Sequence, residues 1–181
     1  MLRIKLPDGS IRKVEKGTTL AELGREFAAH YDSPLAVGIF NGQEYSLLYK
    51  ISEEGEIGFI PMNSVEGMRA FVRSITFVCV VAMKDLFPET ELEVCNSLGS
   101  ALYCTMPKNP LDRQQIKQLE NRMRQIVAEK HPIVTFPVDR QEAIQRALQD
   151  PYLGEDVLAM INMAPVSETL FAYELCGIRE P

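Results

Sequence analysis

The chain has 181 residues, 46% of them hydrophobic and 24% charged, with 19 Lys and Arg against 25 Asp and Glu for a formal charge of −6. Those proportions match an ordinary globular protein long enough to bury a real core. The acidic balance argues against a general nucleic-acid binder, which needs surplus cations to displace counterions from phosphates, although a local basic strip is compatible with it.

The first residues, Met1-Leu2-Arg3-Ile4-Lys5-Leu6, alternate charge with apolar side chains, which is not the apolar core of a signal peptide. Leu2, Ile4 and Leu6 predict a strand with one apolar face. Pro7-Asp8-Gly9-Ser10 supplies turn chemistry, and Ile11–Val14 returns as the second arm of a hairpin. Thr19 with Glu22 reads as a capping box, followed by Leu20, Leu23, Phe27 and Tyr31 at helical spacing until Pro34. Ala36–Phe40 predicts a strand, Asn41-Gly42 a tight turn, and Leu47-Leu48 and Ile57–Ile60 two further short strands.

Strand, strand, helix, strand, strand, strand within about sixty residues is one helix crossing a mixed sheet, a β-grasp arrangement. Leu6-Pro7-Asp8-Gly9-Ser10, Lys16-Gly17-Thr18-Thr19-Leu20, Val37–Gly42 and Ile57–Ile60 resemble the TGS domain at the front of threonyl-tRNA synthetases and certain GTPases. That resemblance implies a small ubiquitin-like module over residues 1–61 that contacts ligand or RNA and performs no chemistry.

Beyond Pro61, Asn63–Phe87 reads as one long helix, with Met68, Phe71, Val72, Ile75, Val78, Cys79 and Met83 repeating at three and four and Pro88 stopping it. Its longest apolar run, Ile75–Met83, is too short to span a bilayer. A hairpin is expected from Leu92–Cys95 and Leu102–Cys104, turning at Asn96–Gly99. Asn109 is expected to cap a helix with Pro110 at its first position, burying Ile116, Leu119, Met123, Ile126 and Val127. Ile133–Val138 predicts a strand, Gln141–Leu148 a helix and Leu170–Leu175 a last strand. The fold class is therefore α+β. Cys79, Cys95, Cys104 and Cys176 form no CxxC and lie in apolar stretches, which predicts buried free thiols in a cytoplasmic protein.

The second stretch, residues 62–181, resembles the editing-type domain shared by threonyl- and alanyl-tRNA synthetases. The resemblance is carried by Arg73-Ser74, Ala82–Pro88, Leu102-Tyr103, the Leu111–Met123 helix and Pro137–Ile144. It implies an α/β domain that runs on past Pro181. That family edits with two histidines four residues apart on the first long helix, a spacing that puts both imidazoles on one face. Counting back from Leu86-Phe87-Pro88, the positions are Phe77 and Val81, which neither titrate nor coordinate metal. The family's Cys-x-x-x-His pair is echoed by Cys176, but Glu180 stands where the histidine falls. The two histidines present, His30 and His131, read as helix-terminal residues. With no Walker loop, GxSxG or HExxH, the chain is expected to hold no catalytic, metal or cofactor site.

TGS plus a histidine-less editing-type domain is similar to the N-terminal half of bacterial uridine kinase-like nucleoside kinases, and Arg73–Phe77 and Asn96–Gly99 with Leu102–Cys104 tip the comparison that way. The resemblance implies a non-catalytic regulatory module, sensing a nucleotide or structured RNA, with a kinase domain downstream. A tRNA-binding relative of threonyl-tRNA synthetase and a scaffold for oligomerisation are the alternatives. The candidate phosphate contacts are Arg69 and Arg73, four apart on the long helix, with Lys84 further along; pairing with Glu66 or Asp85 on a solvated face is the competing reading. Arg122 and Arg124 read as surface residues, and Glu168 and Tyr173 as structural residues near the last strand.

Overall fold

The computed structural model describes residues 1–98, 101–149, 154–165 and 170–180. The chain divides into two compact units, Met1–Ile75 and Thr76–Pro181. Its elements are mixed α and β, and among the described residues no helix is long and apolar enough to cross a membrane.

The first unit contains β1 (Leu2–Lys5), β2 (Ile11–Val14), α1 (Leu20–Phe27, continued by a 3₁₀ turn over Ala28–His30), β3 (Leu35–Phe40), β4 (Gln43–Tyr45) and β5 (Gly55–Pro61). The strands lie in the order β2-β1-β5-β3-β4, with β1 parallel to β5 and the other pairs antiparallel. Turn chemistry fixes the register as the sequence predicts. Asp8 Oδ1 accepts from Ser10 N–H and Oγ, at 2.9 and 2.7 Å. Asn41 and Gly42 both take positive φ, so β4 pairs with β3 immediately after the turn. That early pairing corrects the expected strand at Leu47-Leu48. These two form a turn instead, closed by Tyr49 N–H to Ser46 O at 2.9 Å.

α1 opens on the expected capping box. Glu22 N–H donates to Thr19 Oγ1 at 3.2 Å, while Glu22 Oε2 accepts from Thr19 N–H at 2.7 Å. Its apolar stripe, Leu20, Leu23 and Phe27, meets Ile4, Leu6, Val14, Phe40, Ile51, Ile57 and Phe59 in a single core. Helix and sheet approach closely at Gly38, where an added Cβ would lie 2.4 Å from Leu20 Cδ1.

α2 (Val65–Leu86) begins in the first unit, and the division falls within it. Ser64 starts it, accepting Gly67 N–H at 3.0 Å and donating to Pro61 O at 2.8 Å. In the second unit, β6 (Glu93–Leu98) and β7 (Ala101–Thr105) pair antiparallel. Asn96–Leu98 belong to the strand rather than the expected turn, and Gly99 lies outside the described residues. α3 (Arg113–Glu129) is capped by Asp112 and not by Asn109. Asp112 Oδ1 accepts Gln115 N–H at 2.8 Å and Gln115 Oε1 accepts Asp112 N–H at 2.9 Å, a reciprocal arrangement that Asn109-Pro110 lacks. Leu119 and Ile126 are buried on α3, but Ile116 and Val127 are exposed, contrary to expectation.

β8 (Val134–Val138), β9 (Leu170–Leu175) and β10 (Ile178–Glu180) form an antiparallel sheet in the order β10-β9-β8. α4 (Arg140–Gln149) and α5 (Gly154–Met163) complete the unit. Neither α5 nor β10 is predicted from sequence. Buried side chains of this unit include Val78, Val81, Ala82, Met83, Ala143, Ala147, Ile161, Ala172 and Leu175. All four cysteines are free thiols, yet none is fully buried. Cys79 and Cys104 are half-buried, whereas Cys95 and Cys176 are exposed, because an apolar neighbour in sequence says nothing about which face a residue occupies.

Candidate functional site

α2 carries the candidate phosphate contacts, Arg69, Arg73 and Lys84, and the emptied editing positions, Phe77 and Val81. Its ordering follows from Ser64 at the N-terminus and an uninterrupted run of apolar residues at helical spacing. Arg69 and Arg73 lie one turn apart and are both exposed. Among the described residues neither forms an ion pair. Asp85, offered from sequence as a partner for them, instead accepts from Arg122 Nη2 at 2.6 Å and Nε at 2.7 Å. Lys84 is half-buried and stands eleven residues past Arg73 (84 minus 73), roughly 16 Å along the helix at 1.5 Å per residue. Arg69 and Arg73 thus have the one-turn spacing at which two guanidinium groups can meet one anion, whereas Lys84 stands about three turns further on.

Phe77 and Val81 share a helical face. Phe77 is half-buried and Val81 is fully buried, at 0% exposure. Hydrocarbon at both positions offers no proton, lone pair or hydrogen bond to a substrate. The nearby thiols do not supply a substitute. Burial pushes the Cys79 thiol up to about 11, with Cys104 adding to the shift, and burial likewise raises Cys104. Both are thus neutral thiols near pH 7 and poor nucleophiles. Among the described residues no buried side-chain nitrogen or oxygen lacks a hydrogen-bond partner.

The remaining sequence candidates are dispersed. His30 packs its ring 6.1 Å from Phe27 at the end of the first helical segment. Arg124 pairs with Glu120 on the surface at 2.7 Å, as expected. Arg122 does not behave as a loose surface residue. It holds Asp85 and lies 3.6 Å from Glu129 Oε1, and the hydrogen bond to Asp85 raises its already high pKa. Tyr173 on β9 is exposed, and Glu168 lies outside the described residues. Sequence reasoning also misses Arg140. Its guanidinium donates to Ile161 O (2.5 Å), Ala164 O (2.9 Å) and Pro165 O (2.7 Å), closing the end of α5. The readable signal for it is Asp139-Arg140 at a helix start, where an acidic cap with a basic neighbour leaves the guanidinium to look elsewhere for acceptors.

No protein-family model matches the chain. It is similar to the threonine–tRNA ligase of Clostridium perfringens (strain ATCC 13124), 29% identical over 176 residues, which covers 97% of this chain and 27% of that protein. Threonine–tRNA ligase of Clostridium botulinum (strain Alaska E43) is 30% identical over 164 residues, 86% of this chain and 26% of the relative. Threonine–tRNA ligase 1 of Bacillus subtilis is 26% identical over 176 residues, 96% and 27% respectively. Nearly the whole chain is thus related to threonine–tRNA ligases, and it spans about a quarter of the length of these curated relatives.

Proposed function

We propose that this chain is a non-hydrolytic RNA-contacting module, a relative of the TGS and editing-type portion of threonyl-tRNA synthetases that touches tRNA or a tRNA-like RNA without editing it. In this reading residues 1–61 form the β-grasp (TGS-like) module and residues 62–181 the editing-type domain. The observation that carries the proposal is the face of α2. Two exposed arginines one turn apart, Arg69 and Arg73, without ion-pair partners among the described residues, precede positions filled by Phe77 and Val81. The first pair supports phosphate contact through planar guanidinium forks. The second pair removes the means of hydrolysis. An overall charge of −6 keeps binding local to such a strip and strongly salt-dependent.

The test is binding of unmodified tRNA across a salt series, together with incubation with mischarged seryl-tRNA. The double variant Arg69→Ala/Arg73→Ala is expected to flatten the slope of log affinity against log salt by about two, one per lost phosphate contact. Failure to bind any tRNA at low salt, or a slope indifferent to both arginines, refutes the contact. Release of serine by the pure chain refutes the non-hydrolytic assignment.

The finer reading, a module serving a nucleoside kinase, rests on Arg73–Phe77 and on Asn96–Gly99 with Leu102–Cys104. The natural reading frame tests it: a P-loop downstream supports it, and a stop codon directly after Pro181 removes it.

A further inference from the structure

Glu129, His131 and Cys176 come together at the meeting of two tight turns in the second unit. Glu129 is the last residue of α3, which ends on Lys130 in the left-handed region (φ 55°), turning the chain so that His131 doubles back beside Glu129. Cys176 (φ 54°) and Gly177 (φ 80°) make the two-residue turn between β9 and β10. His131 Nε2 lies 3.3 Å from Glu129 Oε2, and the sulfur, imidazole nitrogen and carboxylate oxygen of the three residues all lie within 4.8 Å of one another. All three are exposed.

We propose that these three side chains form a binding site for Zn²⁺, with water completing the coordination. Thiolate, imidazole and carboxylate are the ligands that zinc takes in sites with three protein donors and an open position. At Zn–N and Zn–O distances of about 2.0–2.2 Å, two ligands of a tetrahedron stand roughly 3.3 Å apart. The His131–Glu129 pair already has that spacing. A sulfur at about 2.3 Å from zinc stands roughly 3.6 Å from its neighbours, so Cys176 closes by no more than about 1.2 Å. One thiolate and one carboxylate neutralise the divalent charge. Arg122 lies 3.6 Å from Glu129 Oε1, while Oε2 is the oxygen paired with His131, and Arg122 is itself anchored on Asp85, which orients the carboxylate and leaves Oε2 for the metal. A His–Glu ion pair alone accounts for two of the residues and leaves the convergence of the thiol without a reason.

Metal-stripped full chain is titrated with Zn²⁺ by calorimetry, and separately with Co²⁺, whose thiolate charge-transfer absorption reports sulfur ligation in the unmodified protein. The expected result is one Zn²⁺ per chain and a charge-transfer band on Co²⁺ addition. His131→Ala, Cys176→Ser and Glu129→Gln are each expected to weaken zinc by more than about a hundredfold, beyond the 10–100-fold that loss of an outer-shell partner costs. Cys95→Ser and Cys104→Ser are expected to leave affinity unchanged. The proposal is overturned if cobalt gives no thiolate band, if micromolar Zn²⁺ does not bind, if binding survives His131→Ala or Cys176→Ser, or if it is lost with Cys95→Ser or Cys104→Ser. RNA binding is read out independently, so the failure of either idea leaves the other standing.

Discussion

Returning an imidazole to α2 by Val81→His exposes the logic of the emptied face most directly. Val81 is fully buried, at 0% exposure, so the larger ring enters a packed environment and displaces neighbours at about 1–3 kcal/mol. Its ring nitrogens arrive where no buried side-chain polar atom among the described residues is waiting for a partner, which adds about 1–3 kcal/mol for the unpaired group. The combined destabilisation is about 2–6 kcal/mol. Desolvation favours the neutral ring, holding its folded-state pKa below the unfolded value of about 6.5. The unfolded chain then binds more protons than the folded one below that value, so the variant loses further stability as pH falls through 6.5, and the loss is absent above it. Urea unfolding of Val81→His and the parent at pH 8 and pH 5.5 checks both parts. A midpoint equal to that of the parent, or a histidine titrating near 6.5 by NMR, refutes the reasoning. Phe77→His/Val81→His together are expected to leave mischarged seryl-tRNA intact, since two imidazoles without partners to orient them are not a catalytic pair.

Three further outcomes follow from particular contacts. Arg140→Met removes three charge-assisted bonds to the end of α5, two of them partly buried, and is expected to cost about 2–4 kcal/mol in urea unfolding. Gly67→Ala gains up to about 1 kcal/mol of helix propensity, yet its Cβ would lie 2.1 Å from the Pro61 carbonyl oxygen, backbone that cannot step aside. A net loss of about 1–3 kcal/mol is expected, and a stabilised variant would contradict the geometry. Glu22 is held below its ordinary pKa of 4.5, first by Thr19 N–H and then by the Thr19 hydroxyl, so its contribution is full above that value and lost as pH falls through the lowered one. Glu22→Gln should therefore show a shallower loss of unfolding midpoint between pH 7 and pH 3 than the parent, and an identical profile would sink the assignment.

The first unit was legible because its turns carry their own chemistry: Asp8-Gly9-Ser10, Asn41-Gly42 and the Thr19–Glu22 box each dictate a local conformation before any tertiary contact forms. The Leu47-Leu48 strand failed for the converse reason. Two leucines say that something is buried, not that it is extended. In the second unit the Asn109-Pro110 signal competed with Asp112-x-x-Gln115, and reciprocal hydrogen bonding decided between them. α5 carries no readable stripe because Val157–Met163 is apolar on nearly every side; Ile161 is buried while Met160 and Met163 are exposed. Arginines on one helix face were readable from spacing, since four residues always make a turn. The Asp85–Arg122 tie and the Glu129, His131 and Cys176 cluster join distant segments, and no local rule announces such meetings.

The missing methyl at Gly38 has a dynamic consequence. β3 is hydrogen-bonded on both edges, to β4 and β5, and α1 presses Leu20 onto its backbone where other residues would hold the helix off. Deuterium uptake by the amides around Gly38 should therefore wait for the whole unit to come apart, making this stretch a clock for global opening while the outer strands exchange earlier.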